Sequence, residues 1–302
     1  MKTRSFSDAG LYFRKFFWTA LFILTLMLLQ APALKAQGRG LLWHASDGKG
    51  HELYVLGSFH VAKSSMFPLS SAINEAFARS TQLAVELDAA SLDPASLMEA
   101  GFNPPGVTLD SQLTPDTQAL LKTVSFLPDM VLQQMRPWLA AMTLEVLTLQ
   151  EAGYSEEYGL DLYFMGQAKN SGRPVIELES FEEQMAIFTG MSAQENDLYL
   201  KATLNELSQG ASVMDRMYSM WTAGNAAGFY DIVAQSFQKH PELTSLNDRL
   251  ITQRNFTMTS RLAKLFLQEN QITFVVVGAA HTVGPGGIPA LLTRAGLTVR
   301  QM

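Results

Sequence analysis

The sequence contains no cysteine. Disulfide bonds, thiolate metal ligands, a cysteine nucleophile and a lipid-modified cysteine are therefore all excluded. A metal site in this chain would have to use histidine and carboxylate side chains. The Gly-x-Ser-x-Gly elbow of serine hydrolases is also missing. The glycine-rich stretch at residues 284–287 is too short for a phosphate loop and has no lysine.

Positive charge is scarce as well. The 302 residues include 22 basic and 28 acidic side chains, a balance that argues against nucleic-acid binding.

The apolar run at residues 16–29 is too short to span a membrane comfortably. Basic residues precede this run and small residues follow it as far as Ala36, which is the pattern of an export signal. We therefore predict a signal peptide over residues 1–36 and a periplasmic or secreted mature chain. An uncleaved N-terminal membrane anchor is the alternative.

Two stretches share the pattern of a strand, a glycine, two further residues and a histidine. Residues 53–57 lead to His60, and residues 274–278 lead to His281. Their apolar and β-branched residues predict buried strands. A loop, an amphipathic segment and another strand-like run follow each stretch, so we interpret them as two related halves. Both histidines come after the carboxyl end of a strand, where open α/β sheets bind their ligands.

Carboxylates take a similar position in two other predicted strands. Glu86 lies near the end of the run at residues 83–88, and Glu179 ends the run at residues 173–179. The helix predicted between the strands that lead to His60 and Glu86 implies a right-handed, parallel crossover. Parallel strands end at the same edge of a sheet, so these side chains are expected to lie close together.

These elements predict an α/β protein with a mixed, mainly parallel sheet. Two strand–Gly-x-x-His–helix–strand halves build the sheet, and a large helical insertion separates them. We place the first half at residues 37–110 and the second at residues 271–302. The insertion covers residues 111–270 and contains one strand near 174–179. All of these belong to a single predicted domain over residues 37–302.

Imidazole and carboxylate groups together are typical ligands of Zn, Mn, Fe or Co. Such an ion polarises a carbonyl or phosphoryl group and lowers the pKa of a bound water. Asp88 could orient one of the histidines. Arg254 lies within a long amphipathic helix predicted over residues 246–269, and could bind a carboxylate or stabilise an oxyanion. Glu179 has a second interpretation, as the ion-pair partner of Arg173 or Arg254.

A non-catalytic interpretation stays open beside the catalytic one. In that case the cleft holds a peptide or a glycan, and the histidines are contacts or structural turn residues. A methionine-rich stretch that includes Met214, Met217, Met220 and Trp221 could line a soft apolar groove for such a ligand. Ordinary helix core accounts for the same composition.

The motifs resemble those of the TraB/GumN family, which is related to the Tiki-type metalloproteases that cleave Wnt proteins. The resemblance covers essentially all of the mature chain in the expected order. It rests on GSFH at 57–60, VELD at 85–88, RPW at 136–138, YGLD at 158–161, the LES…EQ run at 178–184, RN at 254–255 and GAAHTVGPGGIPALL at 278–292.

The resemblance implies an α/β sheet with a helical insertion and an active site that joins both histidines. It also implies a divalent-metal-dependent peptidase that prefers Mn or Co and acts on a peptide or protein substrate. The matching positions are His60, Glu86 and His281 for the metal, and Glu179, Arg254 and Asn255 for catalysis, with Glu179 as a fourth ligand or the general base. Bacterial members of the family are tied to peptide-pheromone shutdown or to exopolysaccharide gene clusters. An accessory role in such a process is therefore the alternative.

Overall fold

The computed structural model describes residues 39–88, 94–124 and 126–302. The predicted signal peptide at residues 1–36 lies outside the described residues, so export of the chain stays a prediction. In the three described ranges, no helix combines the length and the apolar character that a membrane span requires.

Six strands form one sheet. In chain order they are β1 Leu42–Ser46, β2 Glu52–Ser58, β3 Gln82–Val85, β4 Val175–Glu177, β5 Ile272–Gly278 and β6 Thr298–Gln301. Their order across the sheet is β4-β3-β5-β2-β1-β6. The neighbours β4, β3, β5 and β2 run parallel, whereas β1 pairs antiparallel with both β2 and β6. The prediction of an α/β fold with a mixed, mainly parallel sheet is confirmed.

Strand β5 lies between β3 and β2 and pairs in parallel with both. Its residues 274–277 have no exposed surface. A parallel strand covered on both faces is apolar throughout, which explains why this run shows no polar alternation. In the register of the sheet, Ser58 pairs with Gly278 and Val85 pairs with Val276. The carboxyl ends of these three strands therefore meet at one edge.

Helices cover the sheet and continue beyond it. In chain order they are α1 Ser71–Arg79, α2 Pro94–Gly101, α3 Pro115–Leu121, α4 Asp129–Leu132, α5 Pro137–Glu151, α6 Leu160–Asn170, α7 Phe181–Thr189, α8 Ala193–Thr222, α9 Ala226–Lys239, α10 Thr244–Asn247, α11 Arg254–Phe266 and α12 Ile288–Arg294. A π-helical segment, Asp248–Gln253, joins α10 to α11. The single helix predicted over residues 246–269 is therefore divided, with a wider turn inside it.

The helical region has an apolar core of its own, and other buried residues of it, Trp221 among them, pack in the cluster that covers the sheet. Leu144 of α5 and Leu200 of α8 belong to a cluster separate from the one that covers the sheet. Trp221, near the end of α8, is fully buried in the sheet cluster. Its indole Nε1 donates a 2.6 Å hydrogen bond to the carbonyl of Gly57 in β2. The longest helix of the described chain is thus fixed beside the strand that leads to His60.

Gly57 lies where β2 passes close to the 3₁₀ turn Ala279–Thr282. A Cβ at this position would lie 2.7 Å from Thr282 Oγ1 and 3.0 Å from the backbone of Ala279. We expect Gly57→Ala to separate β2 from the turn and to lower the free energy of unfolding by about 1–3 kcal/mol, measured by urea denaturation. Gly166→Ala in α6 is the control, because a Cβ there meets nothing within 4 Å. That change removes a helix-interior glycine and should stabilise the protein by up to about 1 kcal/mol. A Gly57→Ala variant as stable as the wild type would contradict this account.

Candidate functional site

The strand ends bring the predicted polar side chains to one edge of the sheet. His60 follows β2 and Glu86 follows β3. Glu179 follows β4, and His281 lies in the 3₁₀ turn after β5. Glu86, Glu179 and His281 are buried, with exposed fractions of 7%, 5% and 4%. His60 differs, since 70% of its side chain is exposed.

Arg254, the first residue of α11, joins the two glutamates. Its Nη2 lies 2.5 Å from Glu86 Oε2 and 2.6 Å from Glu179 Oε2, and its Nε lies 2.9 Å from Glu179 Oε1. Its Nη1 donates to the Leu250 carbonyl at 3.3 Å. Gln184 Nε2 adds a 3.2 Å hydrogen bond to Glu179. A guanidinium group has five N–H donors. Four of those of Arg254 donate to acceptors within the protein.

The electrostatics of this cluster keep Glu86 ionised. Burial alone would raise the pKa of Glu86, but the His281 ring, the charge of Arg254 and the Gly278 N–H outweigh it. The Gly278 N–H donates to Glu86 Oε1 at 2.6 Å. The pKa of Glu86 falls to about 2 as a result. Glu86 and Glu179 thus share one guanidinium.

Asn255 fixes the orientation and the tautomer of His281. Asn255 Nδ2 donates to the Gly286 carbonyl at 2.8 Å, which turns its Oδ1 toward the imidazole. His281 Nδ1 lies 2.7 Å from that Oδ1 and must be the donor of this bond. Its other nitrogen, Nε2, lies 3.7 Å from Glu86 Oε1. Burial lowers the pKa of His281. Nε2 is therefore the ring nitrogen that faces the carboxylate of Glu86.

Asp161 plays the corresponding part for His60. His60 Nδ1 lies 3.0 Å from Asp161 Oδ2, and Ser58 Oγ donates to Asp161 Oδ1 at 2.8 Å. The negative charge of Asp161 raises the pKa of His60, although water around the exposed ring screens this interaction. The N–H of Leu160 donates to the Phe59 carbonyl at 3.0 Å, so the start of α6 and the backbone beside His60 are fixed together.

Sequence reasoning did not assign a role to Asp161. It gave the orienting role to Asp88, whereas the groups nearest the Nδ1 atoms here are Asp161, at ion-pair distance from His60, and Asn255, which accepts from His281. The YGLD motif at residues 158–161 was the available signal, because Asp161 is its last residue. Of the two partners suggested for Glu179, the structure shows an ion pair with Arg254.

Three clefts are relevant to ligand access. One of about 280 Å³ reaches Glu179 and Arg254, and another of about 380 Å³ reaches Asn255. Met214 and Met217 of the methionine-rich stretch line a third cleft, of about 290 Å³, between α5 and α8. Trp221, from the same stretch, is instead part of the sheet core. Of the strand-end residues, Glu179 lines the cleft of about 280 Å³, while the cleft of about 380 Å³ reaches Asn255, the partner of His281.

The arrangement does not form a complete metal site. Over residues 39–88, 94–124 and 126–302, no group of three or more His, Asp or Glu side chains is placed to hold an ion. The site offers the pair of His281 Nε2 and Glu86 Oε1, with His60 exposed beside it. A metal at this edge of the sheet stays a prediction.

The TraB/PrgY/gumN family model matches residues 41–301. The chain belongs to this family. Membership covers both sheet halves and the helical region between them, and confirms the resemblance inferred from the motifs. Two TraB/PrgY/gumN relatives are YbaP of Escherichia coli (strain K12) and YbaP of Shigella flexneri, both described as uncharacterized proteins. Each is 26% identical over 260 residues, which is 85% of this chain and 94% of the relative. No solved structure matches the chain.

The pKa of Glu86 predicts a pH dependence of folding stability. The pKa is about 2 in the fold against an ordinary value of 4.5, so the unfolded chain takes up the proton first as pH falls. The stabilisation is present above pH 4.5 and is lost as pH approaches 2, and it amounts to about 3 kcal/mol at most. We expect the wild type to lose stability more steeply than Glu86→Gln over this window, measured by urea denaturation at a series of pH values.

Glu183→Gln is the matched control for this measurement. The hydrogen bond from Arg261 also lowers the pKa of Glu183, but this pair is at the surface. There 44% and 37% of the two side chains are exposed, so water screens the interaction and its effect on stability is small. Glu183→Gln should therefore show nearly the same pH dependence of folding stability as the wild type. If Glu86→Gln and the wild type lose stability in parallel, the buried charge assigned to Glu86 is wrong.

Proposed function

We propose that this TraB/PrgY/gumN protein is an exported, metal-dependent hydrolase that cleaves peptides. The observation that carries the proposal is the 3.7 Å separation of His281 Nε2 and Glu86 Oε1. A divalent cation between these two buried atoms would be bonded to both of them. Metal–ligand distances for histidine and carboxylate are ~2.0–2.2 Å, so one ion can contact both atoms.

His60 is the proposed third ligand. Asp161 on its Nδ1 leaves Nε2 as the ligand atom, as Asn255 does for His281. Oriented ring nitrogens of this kind are typical of metal-binding histidines. Since Asp161 raises the pKa of His60, metal binding has to release a proton from this ring. A Mn, Co, Zn or Fe ion held by these residues would supply Lewis acidity toward a substrate carbonyl.

Arg254 and Glu179 serve mainly to position the metal-binding carboxylate in this proposal. Arg254 uses four of its N–H donors within the protein and keeps Glu86 in place, which leaves at most one donor for a substrate carbonyl. Glu179 anchors Arg254 by accepting hydrogen bonds from its Nε and Nη2. Peptides are the proposed substrate because the motifs resemble those of the Tiki-type metalloproteases.

A second candidate is a non-catalytic protein that binds a peptide or a glycan. The observation that favours it is the lack of a three-ligand group in the described part of the chain. In that case the charged pairs stabilise the cleft, and the histidines contact the ligand. Tight ligand binding that survives chelator treatment would support this candidate over the hydrolase.

The metal content of the protein tests the proposal. The wild type, purified from the exported fraction without chelator or nickel, should contain about one equivalent of Mn, Co, Zn or Fe by elemental analysis. We expect His60→Ala/His281→Ala to lose this metal and to lose cleavage of a peptide mixture, followed by mass spectrometry. The sequence has five histidines, and His51→Ala/His240→Ala is the matched control. The proposal fails if the wild type takes up no metal after reloading, or if the first variant keeps both metal and cleavage.

Asp161→Asn tests the orienting role of Asp161 separately. Loss of a carboxylate behind a ligating histidine typically costs about 10–100-fold in metal affinity, and we expect a loss in this range from competition with a chelator. In a His60→Ala background the same change should cost nothing further, because Asp161 acts through His60. An equal loss in both backgrounds would assign Asp161 a purely structural role.

A further inference from the structure

We propose that the cleft between α9 and the π-helical segment binds an apolar side chain of the substrate next to the bond that is cleaved. We call it the apolar cleft. It is defined by Tyr230, Val233, Phe237, Ile251, Asn255 and Val283 among its lining residues. The inference rests on the proposed function for its substrate, but the binding of an apolar group can be measured without any reaction.

The apolar cleft adjoins the candidate site at Asn255. Asn255 lines the cleft and also holds His281 through the 2.7 Å bond to Nδ1. Ala280 and Val283, which flank His281 in the chain, line it as well. A group bound here would therefore lie against the residues that orient His281. Glu179 and Arg254 line the other cleft, which lies on a different part of the same helical segment.

The two walls of the apolar cleft differ in chemistry. Helix α9 contributes Val233, Ala234 and Phe237, which suit an aliphatic or aromatic side chain. The wall formed by α10 and the π-helical segment is more polar and contributes Asn247 and Thr252, whose side chains can bond peptide groups. Apolar walls with a few polar groups are typical of small-ligand sites.

The size and the charge of the apolar cleft limit which side chains it can bind. The volume of about 380 Å³ lies at the low end of the ~300–1,000 Å³ of pockets that enclose a whole drug-sized ligand. It therefore has room for a large side chain together with the adjoining peptide groups, which Asn247 and Thr252 can bond. Among the described lining residues Asp248 alone carries a charge, and its Oδ2 accepts a 2.8 Å hydrogen bond from Gln253 Nε2. The cleft thus favours Phe, Leu or Met over a charged side chain.

Two alanine-to-tryptophan variants on one helix test this inference. Ala234→Trp would fill the apolar cleft. Ala227→Trp, seven residues earlier on the same face of α9, is the control. Ala227 lines only the neighbouring cleft beside Trp43 and Pro289, which has Tyr230 and Val283 in common with the apolar cleft. In wild-type digests of a peptide mixture, we expect Phe, Leu or Met to be enriched at one position beside the cut. Ala234→Trp should lower kcat/KM for such peptides at least ~10-fold and change it little for peptides with alanine there.

A binding measurement separates this inference from the proposed function. The probe is N-acetyl-phenylalanine amide, added to protein with ¹³C-labelled isoleucine methyl groups. We expect a saturable shift of the Ile251 methyl signal, which Ala234→Trp abolishes and Ala227→Trp keeps. Ile187 lines the cleft beside Glu179 and is the internal control. If the Ile251 methyl signal shifts saturably but no peptide is cleaved, the cleft binds an apolar group and the proposed hydrolase activity is refuted.

Three results would overturn the inference itself. The first is cleavage with the same residue preference in Ala234→Trp as in the wild type. The second is a preference for lysine or arginine at the position beside the cut. It would mean that the charge of Asp248, and not the apolar wall, selects the side chain. The third is a titration in which the Ile251 methyl signal does not move. Each of these results is compatible with a working hydrolase, so the two proposals fail separately.

Discussion

The ion pair between Arg254 and two glutamates is the interaction on which the rest of the site depends. It joins the ends of β3 and β4 to the first residue of α11. Glu86 then connects this group to β5 through the Gly278 N–H and faces His281. Charges this deeply buried need every partner, because the loss of one partner from a buried ion pair destabilises the fold by about 3–5 kcal/mol. The arrangement thus fixes three strands and a helix in one relative position.

A second chain of contacts links the same helix to the turn after β5. Asn255 follows Arg254 directly, so neighbouring residues of α11 hold the carboxylates and His281. The π-helical segment Asp248–Gln253 precedes them and lines the apolar cleft. Wide turns of this kind occur frequently at functional sites. Here the wide turn lies immediately before the two residues that organise the site.

Much of the sheet edge could be predicted from the sequence, because strand runs and the glycines that end them are local features. His60, Glu86, Glu179 and His281 were all identified in this way. The partners of these residues could not be predicted so directly, since Arg254 meets Glu86 across 168 residues and Asp161 meets Ser58 across 103. Those contacts depend on how the helices pack over the sheet. The π-helical segment was missed for a related reason, because its apolar pattern resembles that of an ordinary helix.

The strand order has a consequence for how the chain reaches its final structure. Strands β2 and β3 are consecutive in sequence but are separated in the sheet by β5, which begins at Ile272. The place between them is therefore filled by a segment that is synthesised some two hundred residues later. Until then the first half has no continuous sheet, and the candidate site lacks His281. Contacts of such long sequence separation slow folding, so assembly of this sheet is expected to follow synthesis of nearly the whole chain.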